Sequence, residues 1–150
     1  MGLNVSHGCW NAPYSAFMRW RTKIAEVAGL PPLSLMEGFY HPDDDMGAFC
    51  LLKYSKDELM VNSIQRKVLD YLPISWDCLK PSALHELLHH SDCDGSIKPH
   101  RCRSIANALE ELLPKLKDED EYVNNFHTKT KTFIDGLRKA AKARQTVQFG

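Results

Sequence analysis

Apolar residues in this chain recur at helical spacing in five stretches, most of them closed by proline or glycine. Such a pattern admits short amphipathic helices packed on one another and leaves little room for a large sheet. Phe17, Trp20, Ile24, Val27 and Ala28 mark the first stretch. Its helix is expected to start near Asn11 to Pro13, where Asn can cap and Pro is tolerated in the first turn, and to end at Gly29 and Pro31-Pro32. The second covers residues 56–71, with Met60, Ile64, Val68, Tyr71 and Leu72 on one face and Pro73 as its stop. Ser82 caps a brief helix through His90 that turns Leu84, Leu87 and Leu88 inward. Gly95 and Pro99 bracket a turn, after which Cys102, Ile105, Leu109, Leu112 and Leu113 run to Pro114. Asp118 to Glu121 give a last long helix the acidic start that the helix dipole favours. Its expected stripe is Tyr122, Phe126, Phe133, Leu137 and Ala141.

Between these lie short extended pieces: residues 2–6, Ile74 to Trp76, and an edge strand over Thr146 to Phe149. Leu33 to Tyr40 reads as a strand or a single helical turn, and His41 to Gly47 as a loop. The expectation is one globular domain over residues 1–150, mostly α (α+β), a compact helical fold of about five helices with a few short strands. At 43% apolar residues and zero formal charge, the chain is unlike a disordered one, and the charge balance argues against coating nucleic acid or an acidic membrane. No apolar run reaches the ~18 residues of a spanning helix, and the first residues lack the pattern of a secretory signal, so a cytoplasmic location is expected. Five cysteines, an odd count with no C-x-x-C pair, suit reduced thiols better than a disulfide framework or a structural zinc, and no cofactor is expected.

The densest chemistry lies in residues 85–102. His85-Glu86-Leu87-Leu88-His89 matches H-E-x-x-H, in which two histidines four apart on a helix reach one zinc and the glutamate activates its water. Asp92, Cys93, Asp94 or His100 could complete such a site, but the helix is short. The stretch from His90 also resembles a calcium loop, with acids at positions three and five and Gly95 at six. His90 and Arg101 stand where calcium needs carboxylates, so the loop is not expected to hold the ion. What remains is a polar turn, His90-Ser91-Asp92-Cys93-Asp94-Gly95. It is either a self-bonded structural turn or a ligand-facing loop whose hydroxyl, imidazole and carboxylates suit ribose hydroxyls or an exocyclic amine.

A second constellation opens the chain. Ser6-His7-Gly8-Cys9-Trp10 stands just before the expected helix start, where free amides and the bare Gly8 backbone favour phosphate. Arg21 lies two turns from Tyr14 on nearly the same face, and Trp10 and Tyr14 offer flat surfaces for a base. The plainer alternative puts both aromatics in the core. Cys9 with His7, or Cys93 with His90, could be drawn as nucleophile pairs, though no oxyanion site accompanies either. Lys129, Lys131, Arg138, Lys139, Lys142 and Arg144, against Asp135 alone, read as a solvated helix face rather than a nucleic-acid surface.

Met1-Gly2-Leu3, Val5-Ser6-His7-Gly8-Cys9-Trp10, the Tyr14-Ser15-x-Phe17-x-Arg19-Trp20-Arg21 helix, Leu35-Met36-Glu37-Gly38-Phe39 and the His90–Gly95 turn together resemble a group of small uncharacterised proteins from bacteriophages and bacteria. The likeness runs over most of the chain, least over residues 41–70. It implies a small accessory protein of phage type in the host cytosol and transfers no catalytic role. By analogy with such proteins, the expected function is sequestration, without turnover, of a phosphate-bearing, nucleotide-derived immune signal such as an ADP-ribose derivative. The expected pocket joins Ser6, His7, Gly8, Cys9, Trp10, Tyr14 and Arg21 to His90, Ser91, Asp92 and Asp94. Zinc hydrolysis through His85, Glu86 and His89 is one alternative, and inhibition of a host enzyme by direct binding is another. Neither nucleic acid nor membrane is an expected partner, and a homo-oligomer is compatible with the sequence.

Overall fold

In the computed structural model, residues 2–39 and 73–150 are described. The helix expected over 56–71 and the loop at 41–47 lie outside them. The chain forms two compact units, one of residues 1–23 with 82–150 and one of residues 24–81. The fold is α+β, with four α-helices among the described residues and a few short strands.

The first unit begins with an antiparallel hairpin of β1 (Gly2–Val5) and β2 (Trp10–Pro13), paired from Gly2↔Pro13 to Val5↔Trp10. Leu3 and Val5 are buried while Gly2 and Asn4 are exposed, the two-residue alternation of a half-buried strand. Helix α1 (Tyr14–Val27) starts after Pro13, later than the sequence suggests. Asn11 and Pro13, expected in its first turn, are held extended by pairing with β1, so a non-local ladder overrides a local capping signal.

Helix α2 (Leu84–Leu88) is little more than one turn, with Ser82 Oγ accepting the Leu84 N–H at 3.2 Å. Strand β3 (Ser96–Ile97) then leads into α3 (Pro99–Leu112), in which Pro99 opens the helix where its missing N–H costs nothing. A 3₁₀ turn over Leu113–Lys115 closes it around Pro114. Helix α4 (Phe126–Ala143) packs along α3 and turns Phe126, Thr130, Phe133, Ile134, Gly136, Leu137 and Ala140 inward. The expected stripe is therefore corrected at both ends: Tyr122 precedes the helix and is 83% exposed, and Ala140 rather than Ala141 is the buried alanine. Thr130 joins an apolar face because its hydroxyl is used twice, accepting from Trp20 Nε1 at 2.8 Å and donating to Phe126 O at 2.7 Å.

Strand β4 (Val147–Gln148) pairs antiparallel with β3, and Val5↔Phe149 bridges the same segment to β1. Trp10, Phe17, Trp20, Phe133 and Phe149 form a chain of ring contacts with centroids 4.8–6.1 Å apart. At Gly136 α4 comes close to the hairpin: a Cβ there would stand 2.5 Å from Cys9 Sγ and 2.9 Å from Cys9 N.

In the second unit, Leu33–Leu35 form a 3₁₀ turn, so the stretch expected as a strand or a single helical turn opens with a helical turn and continues into a bridge residue. Met36 bridges Ile74 in parallel, with Glu37 N to Ile74 O at 2.7 Å and Ile74 N to Leu35 O at 2.9 Å. The strand expected at Ile74 to Trp76 is thus one bridge residue followed by a 3₁₀ turn, Trp76–Cys78. Leu33, Leu35, Met36 and Ile74 are buried there. No helix among the described residues is long and apolar enough to cross a membrane.

Candidate functional site

The four-residue connection between β1 and β2 places Ser6, His7, Gly8 and Cys9. His7 and Gly8 both take left-handed backbone, at φ 62 and 72, as a tight reversal between paired strands demands. Gly8 is exposed, with open space where a side chain would stand, so a ligand can approach its backbone. The helix-terminus amides expected at this segment are not there, because β2 intervenes before α1. His7 lies instead between two partners. Its Nδ1 is 2.9 Å from Ser6 Oγ and its Nε2 is 2.8 Å from Gln145 Oε1.

The second cluster hangs between α2 and β3. His90 stacks on Phe149 with centroids 4.0 Å apart, its Nδ1 facing Ser91 O at 2.7 Å and its Nε2 facing Ser96 O at 3.3 Å. Gly95, at φ 93, lets the turn close over this ring: a Cβ there would stand 3.0 Å from His90 Cε1. Ser91 Oγ accepts the Cys93 N–H at 3.3 Å. Ser91 and Asp94 are exposed and Asp92 half-buried, so these groups face solvent while His90 serves the turn itself.

The two clusters do converge, on the segment 145–150 of this same chain. Ser6 N donates to Gln148 O at 2.9 Å, and Gln148 N donates to Ser6 Oγ at 2.8 Å. On the other flank Phe149 N donates to Gly95 O at 3.0 Å, while Asn4 and Gly150 exchange two backbone bonds. The strand fills the space in which a guest was expected, so the shared feature is a solvent-facing seam beside β4. Gln145 and Gln148 belong to that seam and were missed. The alternation of Val147 and Phe149 inward with Gln148 outward is legible as a strand, but its two neighbours are not.

Arg21, Trp10 and Cys9 are corrected from pocket wall to interior. Arg21 is 2% exposed, and its Nη1 donates to His90 O at 2.7 Å and Leu88 O at 3.2 Å while the guanidinium sits 4.6 Å from the Phe17 ring centre. Burial pushes its pKa down to about 10, against the opposing pull of Asp92, so it remains a cation at neutral pH. Trp10 is 4% exposed within the aromatic chain, and Tyr14 is half-buried at the first position of α1. Cys9 is buried, and its thiol is pushed up to about 12, chiefly by burial and then by Cys102, which leaves it protonated and poorly nucleophilic. His7 and His90 are engaged with the partners given above, so neither thiol–imidazole pair has formed.

The H-E-x-x-H letters fall on a helix that stops before the second histidine, His89 being its C-cap residue. Glu86 is turned to Arg101 Nε at 2.5 Å. Among the described residues no three His, Cys, Asp or Glu side chains gather as a metal site would require. Burial, then His89, holds the His85 pKa below the ordinary imidazole value. Its unfolded form therefore binds a proton at higher pH than its folded form, and stability contributed above pH ~6.5 is lost as pH falls below it. A His85→Gln variant is expected to show a flatter midpoint-versus-pH curve between about pH 7 and 5 in thermal melts.

Comparison with protein-family models, with curated proteins and with solved structures found no match to this chain.

Proposed function

We propose that this is a non-catalytic binding protein of the cytoplasm that sequesters a nucleotide-derived, phosphate-bearing molecule of ADP-ribose type without turnover. The observation that carries the reading is the convergence of the Ser6–Gly8 and His90–Gly95 turns on one six-residue segment, through Ser6 N to Gln148 O at 2.9 Å and Phe149 N to Gly95 O at 3.0 Å. Two polar clusters far apart in sequence thereby flank one strand. Ser91, Asp92 and Asp94 offer acceptors to ribose hydroxyls or an exocyclic amine, and the Gly8 backbone is open to approach by a ligand. Support for a holding role rather than chemistry comes from four of the candidate groups: Cys9 is buried and protonated, Glu86 pairs with Arg101, and His7 and His90 are bonded within the fold.

Asp94 is the cleaner probe, because His90 also supports the turn. Calorimetry against ADP-ribose derivatives and cyclic dinucleotides is expected to find one ligand that mass spectrometry recovers unaltered. Asp94→Ala should weaken its binding by about tenfold, the worth of one lost polar contact, and leave the melting temperature within about 2 °C. Failure of every ligand in the wild-type protein, or conversion of one to product, would sink the reading.

A further inference from the structure

Loop 118–125 displays Tyr122 at 83% exposure and Val123 at 43%, the large apolar side chains left exposed among the described residues. The loop holds them out on a fixed frame. Asp120 Oδ1 accepts the N–H groups of Tyr122, Val123 and Asn124 at 2.9, 2.6 and 2.9 Å, and Lys129 Nζ donates to Val123 O at 2.9 Å. Asp118 accepts from both the backbone and the hydroxyl of Thr128. An adjacent cleft of about 420 Å³ is lined by Asp118, Glu119, Asp120, Glu121, Asn125 and Thr128. Tyr122 and Val123 are neighbours in sequence and give one small apolar patch beside the carboxylates, available to a partner surface.

The charges say what would cover it. Four consecutive carboxylates precede the pair; Glu119 meets Lys23 at 3.6 Å, whereas Glu121 stands exposed beside the tip, so the complementary surface is basic and must offer aliphatic area to a tyrosine ring. Lysine-rich helix faces do both: their methylene stems pack on the ring while the ammonium groups meet carboxylates and the ring face. This chain carries such a face. Lys131, Lys139 and Lys142 are exposed along α4, interrupted only by Asp135, whereas Arg138 is tied back to Glu110 at 2.5 Å. Helix α4 begins at the loop and runs 18 residues, about 27 Å, so the tip and the Lys139–Lys142 end lie at opposite ends of the helix and do not satisfy each other within one molecule. We propose that the 118–123 tip docks on the Lys139–Lys142 end of α4 in a second copy of the chain, a head-to-tail contact. Being heterologous, it leaves a free tip and a free lysine face on every pair and extends with concentration.

Exposed charge pairs are individually weak and screened by salt, so the association is weak and belongs at low ionic strength. Sedimentation equilibrium of the full chain at about 0.05 M salt is expected to give a weight-average mass rising above 17.1 kDa with concentration, and falling back at about 0.5 M. Tyr122→Ala, Glu121→Lys and Lys139→Glu should each weaken association at least tenfold, with unchanged melting temperatures because all three positions are exposed. The double variant carrying both charge reversals restores the pairing between copies and should recover association. Either a mass fixed at 17.1 kDa at all concentrations in low salt, or association indifferent to these substitutions, overturns the proposal.

Discussion

Gly136→Ala is expected to destabilise the protein by about 2–3 kcal/mol, although alanine is the better helix former by about 1 kcal/mol. The added Cβ would meet Cys9 at Sγ (2.5 Å), backbone N (2.9 Å) and Cα (3.0 Å). Two of those atoms are main chain of a turn locked between paired strands, so the hairpin or the helix must move as a body. In a chain of this length the loss corresponds to a fall in melting temperature of about 4–12 °C, readable by calorimetry. A Cys9→Ala change made alongside it removes the sulfur contact and leaves the backbone ones, so rescue should be partial. An unchanged or raised midpoint for Gly136→Ala would show that α4 and the hairpin are not packed this closely.

The second large effect belongs to Arg21. Arg21→Ala should cost about 3–4 kcal/mol, because it leaves a void beside Phe17 and removes the donor to two carbonyls at the end of α2. Arg21→Met keeps most of the volume and should recover part of that, with the carbonyls of Leu88 and His90 still deprived of their charged donor. Read from sequence, the same arginine belongs to a ligand, and the two roles predict different data. A binding defect with a native melting temperature would return Arg21 to the pocket. A melting temperature lowered by roughly 6–16 °C, with binding scaling only with the folded fraction, fits the buried strut.

Arg21 occurs on the same side of α1 as Phe17 and Trp20, a position whose periodicity alone would mark it as buried. Its charge suggested a ligand instead, since an arginine seldom goes inside unless partners await it. Those partners are backbone carbonyls of residues 88 and 90, and nothing in a residue's identity announces that its carbonyl will be left free at a short helix's end. Thr130 is the same lesson reversed: a polar letter in an apolar stripe, made acceptable by Trp20 from another helix.

Tyr122 misled through periodicity itself. It extends the stripe of Phe126 and Phe133 by one turn, but Asp120 captures the amides of Tyr122, Val123 and Asn124 and the helix begins only at Phe126, with Asp118 accepting the Thr128 N–H of its first turn. The acidic run was legible as a helix start, whereas its use as a loop frame depended on which amides lay within reach.

The sequence by itself determined the helical character, the stops at Gly29 and Pro114, the inward stripe of α3 from Cys102 to Leu112, that of α4 from Phe126 to Leu137, and the short extended ends. All of these follow from spacing and backbone preferences acting within a few residues. Only the tertiary structure decided that β1 would hold residues 10–13 extended, that Gly136 would give Cys9 room, and that segment 145–150 would lie between the two polar turns. Hydrogen-bond donors and acceptors are alike all along a backbone, so a strand does not encode its neighbours. Burial of Val147 and Phe149 in one shared core selects them.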